Sequence, residues 1–532
     1  MKKLLSLLLA LTMLLSLCAC AKTESSGETA NASTQEPASA QEAASTDPEP
    51  STLVYGSADY TRINPAMDEH CEINLLLFDG LTAHDGENNV VPGLAESWDF
   101  DEQTNTYTFH LKSGVTWHDG EPFTAADVKF TIEAIMNPDN GSENAPNFED
   151  VEEITVADNQ TISFRLSAPN VAFLDYMTMA ILPEHLLCGE DFQTSDFFRS
   201  PVGTGPYKLS SWDVGQAIVL EKNESYFKGP ANIDRIIFKI VPDDNAQAVQ
   251  LESGELDLAL LDPKNAQNFV GKDGFVCYDM KTSDYRGILF NFWNDYWTEN
   301  KDIIPAVCYA IDRQAIVDAV LLGQGMSAYG PLQRNVYNND AVEHYDYNPE
   351  KAKSILESIG CTMGESGYYE RNGAEIGFVI SVMAGEQDRI DIAQAAAQQL
   401  REVGIHCTVD IPAKMDWGGQ QACLIGWGGP FDADDHTYKV FGTDKGANYS
   451  GYSNEKVDEY LTKARESSDP AVRKEYYDLF QVALANDPAY AFICYIDANY
   501  VASARLHGIS TDTVMGHHGV GIFWNVCEWT LD

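Results

Sequence analysis

The stretch that decides the fold reads YTFHLKSGVTWHDG at residues 107–120. Apolar and polar side chains alternate from Tyr107 to Leu111, which is the period of a strand with one buried face. The stretch ends in His118-Asp119-Gly120, a sequence that resembles a catalytic pair but is better interpreted as a turn. A second run of this kind is TISFRL at residues 161–166. Such short alternating runs make the first part of the chain rich in β-structure.

Helical stretches are interleaved with these strands. Thr124 is followed three residues later by Asp127, which is an N-cap signature for a helix running through Ile135. Further helices are predicted at residues 350–359, 390–403, 454–466 and 470–485. Gly360 and Gly404 stop the first two of them. Strands and helices alternate between about residues 285 and 495, which predicts an α/β lobe there.

Further motifs follow in a fixed order along the chain. They are NNVVPGLAESW at 88–98, PVGTGPY at 201–207, SGELD at 253–257, YAIDR at 309–313 and a Trp-Gly segment at 427–428. Together with residues 107–120, this ordered set resembles the bacterial extracellular solute-binding proteins of family 5, the peptide- and nickel-binding group of ABC importers. The resemblance extends from Leu53 to the C-terminus. Gly203 to Pro206 also invites a phosphate-loop interpretation, but the motif lacks the Lys-Ser/Thr that would follow, so a tight turn is predicted.

The family resemblance implies a two-lobed α/β clamp with mixed β-sheets, flanking helices and an added subdomain. Mapped onto this chain, the large lobe with its subdomain comprises residues 52–284 and 491–532. The small lobe comprises residues 285–490, so that two crossing segments form the hinge. Such a clamp closes over a solute and delivers it to the permease subunits of the importer.

The N-terminus carries the pattern of a lipoprotein export signal. A basic start at Lys2 and Lys3 precedes an apolar run that is too short to span a membrane. Leu17-Cys18-Ala19-Cys20 resembles a lipobox, so residues 1–19 are predicted to be cleaved and Cys20 to carry lipid. Residues 20–51 lack apolar periodicity and are predicted to be a disordered linker. The alternative is an ordinary signal peptide with an incidental cysteine.

The composition excludes several classes of protein. Lys and Arg number 34 against 81 Asp and Glu, a formal net charge of −47, which repels nucleic acid and gives no general attraction to anionic lipid. Anchoring on the outer face of the cell membrane must therefore come from the lipid on Cys20. Nine cysteines beyond Cys18 and Cys20 are widely spaced without a C-x-x-C motif, which argues against a zinc ribbon or a disulfide scaffold.

The candidate ligand site is the loop WGGPFDADDH at residues 427–436. It leaves an apolar strand, and loops at strand ends are where α/β folds hold ligands. Trp427 and Phe431 offer aromatic contact area, and Asp432 and Asp434 offer negative charge. Tyr285, just before the first crossing segment, is a further candidate. The alternative for the two acids is that one of them caps a helix beginning near Thr437.

The resemblance leaves two ligand classes open. Peptide-binding relatives carry an acid three residues after the tryptophan, where it pairs with the peptide ammonium, and this chain has Pro430 there. Nickel-binding relatives show Trp-Gly-x-Pro-aromatic-Asp, which Trp427 to Asp432 match. We expect a peptide or small zwitterion whose ammonium pairs with Asp432 or Asp434. The competing expectation is a metal chelate resting on Trp427 and Phe431, with the acids or His436 contacting the chelator.

No enzyme signature supports a catalytic function. The sequence has neither G-x-S-x-G nor H-E-x-x-H, and no nucleotide fingerprint. His517 and His518 are adjacent, and neighbours on a regular element do not share a face. We therefore expect a monomeric binding protein without catalytic residues, cofactor or resident metal. A lipid-anchored hydrolase and a surface adhesin are the alternative classes.

Overall fold

The computed structural model describes residues 50–67, 71–519 and 521–532. The predicted signal peptide at 1–19, Cys20 and nearly all of the predicted linker lie outside those residues. Across the described ranges, no helix has both the length and the apolar character needed to cross a bilayer. Among the described residues, the nine cysteines from Cys71 to Cys527 form no disulfide bond.

The protein has a mixed α/β fold, as the sequence predicts. The strands of the first half, β1 to β11, are Thr52–Ser57, Thr82–His84, Val90–Pro92, Ala95–Asp101, Thr106–Leu111, Val151–Asp158, Thr161–Leu166, Tyr207–Asp213, Ala217–Lys222, Arg235–Ile240 and Leu258–Leu261. The remaining strands, β12 to β22, are Phe275–Phe290, Gly325–Ser327, Thr362–Met363, Tyr369–Arg371, Ala374–Glu375, Gly377–Ser381, His406–Asp410, Ala422–Trp427, Tyr490–Ser503, Leu506–His507 and Thr530–Leu531.

The helices lie between these strands. Helices α1 to α7 are Asn74–Leu77, Ala125–Met136, Phe173–Tyr176, Glu184–Leu187, Asp244–Ser253, Pro263–Ala266 and Asp295–Asn300. Helices α8 to α14 are Ile304–Ala310, Arg313–Val320, Pro349–Ser358, Gln387–Glu402, Asp435–Phe441, Glu455–Glu466 and Pro470–Asn486. Short 3₁₀ turns occupy Pro138–Asn140, Ala145–Phe148, Asp196–Arg199, Gln267–Phe269, Lys301–Ile303, His517–Gly519 and Ile522–Glu528.

The predicted helix signals are confirmed. Thr124 and Asp127 form a reciprocal capping box at the start of α2. Gly360 and Gly404 follow α10 and α11 with φ of +89° and +91°, values that suit glycine. Helix α11 begins at Gln387, before the predicted start at residue 390. Its first turn is polar, so the apolar period on which the prediction depended begins one turn late.

The decisive stretch folds as predicted. β5 lies between β4 and β7 in a four-stranded antiparallel sheet of order β4-β5-β7-β6. Tyr107, Phe109 and Leu111 point into the core, and Trp117 is also fully buried. His118 and Gly120 lie in the turn that follows. The Gly203–Pro206 motif is a bend in a loop, and a Cβ at Gly203 would lie 1.7 Å from the carbonyl oxygen of Leu77.

One eleven-stranded sheet runs through the body, in the order β18-β17-β19-β12-β20-β11-β1-β10-β9-β8 with β13 added beside β20. Its two long central strands, β12 and β20, are antiparallel and pair from Phe275 opposite Ser503 to Leu289 opposite Tyr490. The pairing register shifts between Lys281 and Tyr285, midway along both strands. A shift of this kind bends a strand locally.

The buried apolar side chains form separate hydrophobic cores, and the boundary between the cores falls within β12 and β20. The outer core, as we name it, contains residues between 53 and 280 and between 498 and 529. Two central cores contain only residues between 285 and 495. The division therefore falls within β12 and β20. Residues 491–495, assigned to the large lobe from the sequence, place their apolar side chains in the central cores.

Candidate ligand-binding site

The Trp427 loop leaves the end of β19, a buried strand that pairs antiparallel with β12. Trp427 lies opposite Tyr285 in that pairing. Gly428 passes so close to β12 that a Cβ would lie 2.3 Å from the carbonyl oxygen of Ser283. Glycine is required by this close approach. The loop is thus fixed against the strand in which the two sets of cores divide.

Trp427 is half-buried and belongs to an aromatic group. Its ring centroid lies 5.6 Å from that of His436 and 5.8 Å from that of Tyr449. The His517 ring lies 6.4 Å away at an interplanar angle of 23°. The tryptophan therefore joins side chains of the central part to the C-terminal segment. Large rigid aromatic surfaces of this kind suit a binding cleft.

Phe431 lies further along the same loop and is 38% exposed. Its ring stacks on His84 with centroids 3.6 Å apart and an angle of 7°. His84 in turn bonds to Asp175 at 2.9 Å. Phe431 thus connects the Trp427 loop to the part of the protein that contains the outer core.

Tyr285 occupies a different environment from the one the sequence suggests. Its side chain has no exposed surface and packs edge-on against Tyr490, Phe492 and Tyr495. Burial holds the pKa of its phenol well above the ordinary value. In this structure Tyr285 is part of a central core, on the strand that pairs with the one carrying Trp427.

Asp432 forms a bidentate ion pair. Its two carboxylate oxygens each lie 2.6 Å from a guanidinium nitrogen of Arg473 on α14. Burial opposes the charged form of Arg473, but the hydrogen bonds and charge of Asp432 hold its pKa above the ordinary value. Asp432 also accepts a hydrogen bond from the backbone of Asp434 at 2.8 Å. Bidentate arginine–carboxylate pairs are among the strongest hydrogen-bonded interactions in proteins.

Asp434 is wholly enclosed. Its carboxylate accepts bonds from Arg465 at 3.1 and 2.7 Å and from the hydroxyl of Tyr176 at 2.6 Å. It occupies the N-cap position of α12 without a side-chain cap bond, so the capping alternative is wrong for Asp434. Both acids offered for a ligand ammonium are thus already neutralised by arginines.

A cluster that the sequence analysis missed lies beside Trp427. Asp284 on β12 bonds to Nδ1 of His517 at 2.8 Å and accepts from the backbone N–H of His518 at 3.0 Å. The rings of His517 and His518 are 4.0 Å apart. One potential ligand atom from each of the three residues lies within 4.8 Å of the other two. Arg286 also pairs with the buried Asp284.

The backbone explains how adjacent histidines share a side. His518 has φ of +57°, in the left-handed region, so the two residues are not on a regular element. The sequence does carry a signal of irregular backbone here, because three glycines surround the pair: Gly516, Gly519 and Gly521. Burial lowers the pKa of His517, and partial removal from water together with the neighbouring His517 lowers that of His518. Both imidazoles are therefore neutral near pH 7, the form that binds metals.

The two sets of cores, their two connecting strands and the loop beside them define a class of protein, the two-lobed periplasmic binding proteins. Residues 89–449 match the family model "Bacterial extracellular solute-binding proteins, family 5 Middle". The chain belongs to this family, as its motifs predict. It is therefore an extracellular solute-binding protein, from a family that serves ABC importers and does not comprise enzymes.

Similar proteins extend along nearly the whole chain. Oligopeptide-binding protein AppA of Bacillus subtilis is 29% identical over 99% of this chain and 98% of the relative. Protein XP55 of Streptomyces lividans is 31% identical over 88% and 87%. The solved structure of NikZ from Campylobacter jejuni in complex with Ni(L-His) is 35% identical, covers 91% of this chain and 100% of that one, and has a TM-score of 0.83. The solved structure of Bacillus subtilis AppA in complex with a nonapeptide is 27% identical, covers 91% of this chain and 100% of that one, and has a TM-score of 0.78.

Proposed function

We propose that this protein captures peptides between two lobes and delivers them to the permease subunits of an ABC importer. The oligopeptide-binding relative aligned over nearly the full chain supports the peptide class. We further propose that the lipid on Cys20 holds the protein at the outer face of the membrane and that residues 20–51 act as its tether. The protein works as a monomer in this proposal.

The proposed lobes follow the division of the cores. One comprises about residues 52–284 and 496–532, and the other comprises about residues 285–495. Only β12 and β20 connect them along the chain, and a register shift interrupts both strands near Tyr285. Bending at this position would open and close a cleft next to the Trp427 loop. Closure excludes water, which strengthens each polar contact to the ligand.

The observation that carries the proposal is the position of Trp427. The ring is half-buried at the end of β19 and lies near His517, which the chain supplies from the other lobe. We propose that a peptide lies across this ring. Of the two candidate acids, Asp432 has a side chain 9% exposed and Asp434 has none exposed, so Asp432 is the one able to share an oxygen with the ligand ammonium.

Calorimetric titration with a nonapeptide pool tests the proposal. Trp427→Ala is expected to weaken binding by about 2 kcal/mol or more, as for aromatic anchors in general. Trp293→Ala is the matched control, because Trp293 is 59% exposed and its loss should leave binding unchanged. Unaltered affinity in Trp427→Ala, with a lowered melting temperature, would assign Trp427 to the fold instead.

A metal chelate is the second candidate ligand, and the Asp284–His517–His518 cluster is the observation that favours it. Two neutral imidazoles and a carboxylate suit a divalent transition metal such as nickel. The similar NikZ structure holds Ni(L-His). Here the metal would be cargo, with His517 and His518 able to complete its coordination beside Trp427.

Titration with Ni(II) and L-histidine distinguishes this candidate from the first. His517→Ala and His518→Ala should each abolish binding of the chelate, and His507→Ala is the control because His507 is exposed and pairs with Asp532 at the C-terminus. Binding of nickel–histidine that all three variants retain would exclude the cluster as the metal site.

A further inference from the structure

A buried ion cluster joins the two proposed lobes. Asp434 and Arg465 belong to the part with the central cores, whereas Tyr176 and Asp150 belong to the part with the outer core. Arg465 contacts Asp434 at 2.7 Å and Asp150 at 3.1 Å, and Tyr176 donates to Asp434 at 2.6 Å. The side chains of Asp434 and Arg465 are 0% and 6% exposed.

Further contacts join neighbouring parts of the two proposed lobes. The backbone N–H of Val171 donates to the carbonyl oxygen of Arg465 at 3.1 Å. Lys445 pairs with Glu149 at 2.6 Å, and the ring of Phe431 stacks on that of His84. All of these contacts cross between segments 84–176 and 431–465, and none of them involves a residue of β12 or β20. The segments are thus held together by noncovalent contacts alone.

Two of the three charged groups in the cluster, those of Asp434 and Arg465, belong to the same proposed lobe, and Asp150 belongs to the other. Asp434 and Arg465 compensate each other within one side. Burial opposes the charge on Arg465, but the nearby charge of Asp434 keeps the pKa of the guanidinium above its ordinary value. Separation of the lobes would break the bonds from Tyr176 and Asp150 while leaving the buried pair intact. No uncompensated charge would be left in the interior, a result that is otherwise very costly.

We propose that Asp434, Arg465, Tyr176 and Asp150 form a latch that sets the balance between closed and open clamp. The inference rests on the proposed clamp function, and it assigns to Asp434 the regulation of closure in place of ligand contact. Within the latch, Tyr176 supplies a hydrogen bond to Asp434 and Asp150 supplies an ion pair with Arg465 across the lobes. Both reform on closure around a preassembled Asp434–Arg465 pair.

The test is amide hydrogen exchange of the purified, ligand-free full chain carrying Tyr176→Phe. This change keeps the ring and removes only the donor to Asp434. A hydrogen bond to a charged acceptor contributes enough that protection at Val171 and its neighbours should fall about tenfold. Tyr477→Phe is the matched control, because Tyr477 is also buried and bonds to Arg473 at 3.2 Å within a single lobe. It should leave protection at Val171 unchanged.

A second variant guards against a simple loss of folding. Asp150→Asn removes the negative charge that pairs with Arg465 across the lobes, at a partly exposed position, and should lower protection at Val171 as well. Amides in β12 and β20 should keep their protection in both variants. The latch is refuted if protection at Val171 stays as in the parent protein or falls equally throughout the chain. Peptide binding is measured separately, so a protein that binds no peptide yet shows the exchange pattern refutes only the proposed function.

Discussion

The Asp434–Arg465 pair gives the sharpest test of which residues support the fold. Arg465→Met would keep the length of the side chain and leave a carboxylate with no exposed surface beside one remaining donor, Tyr176. Removing one partner of a buried ion pair costs about 3–5 kcal/mol. Because the Tyr176 hydroxyl still compensates part of the charge, we expect a loss near the lower end, about 3 kcal/mol.

Adding Asp434→Asn to Arg465→Met removes the uncompensated charge. The double variant should therefore recover about half of the lost stability, since the two sites interact directly. Urea denaturation followed by tryptophan fluorescence measures the free energy of unfolding of both variants. Lys272→Met is the control, because the Lys272–Glu252 pair is largely exposed, and such pairs contribute about 0–1 kcal/mol.

A loss below about 1 kcal/mol in Arg465→Met would refute this reasoning. It would mean that Asp434 reaches solvent easily, or that other donors replace the arginine. Asp434 would then again be a candidate for contact with a ligand ammonium, as the sequence suggested.

Three further predictions concern other parts of the chain. Cys20→Ser should move the protein from the membrane to the soluble fraction, and continued membrane association in high salt would contradict lipid anchoring. Gly203→Ala should lower the melting temperature markedly, because the added Cβ would lie 1.7 Å from a backbone oxygen; an unchanged melting temperature would contradict the close approach. Burial lowers the pKa of His118 from 6.5 to about 4, so the unfolded chain binds the proton at a higher pH than the folded one. The free energy of unfolding should therefore be unaffected by His118 above about pH 6.5 and should fall by about 3 kcal/mol as the pH decreases toward 4, because the proton binds preferentially to the unfolded chain. A His118→Gln variant should show a flatter dependence of the unfolding free energy on pH.

Local sequence signals predicted the elements well. Alternation fixed the buried faces of β5 and β7, and the Thr124–Asp127 pair and Gly360 marked helix ends where the structure has them. These signals are local, since each depends on neighbours within a few residues. The family-wide motifs added the two-lobed arrangement, which local patterns could not supply.

The site was less predictable because it depends on partners that are far apart in sequence. Nothing near Asp434 in the chain reveals that Arg465 and Tyr176 enclose it, so its acidity suggested ligand contact. Adjacent residues on a regular element do not share a face, but the left-handed backbone at His518 brings the rings of His517 and His518 to within 4.0 Å of each other. Asp284 lies on β12, 233 residues before His517, and joins them only in the folded protein.

Native mass spectrometry of the freshly purified protein tests the central claim most directly. A bound peptide at about one per protein is expected, and Trp427→Ala should release it. A protein that carries a nickel chelate in place of peptide would contradict the peptide proposal and favour the Asp284–His517–His518 cluster. A protein that carries no solute and takes up neither the nonapeptide pool nor nickel–histidine would contradict solute capture itself.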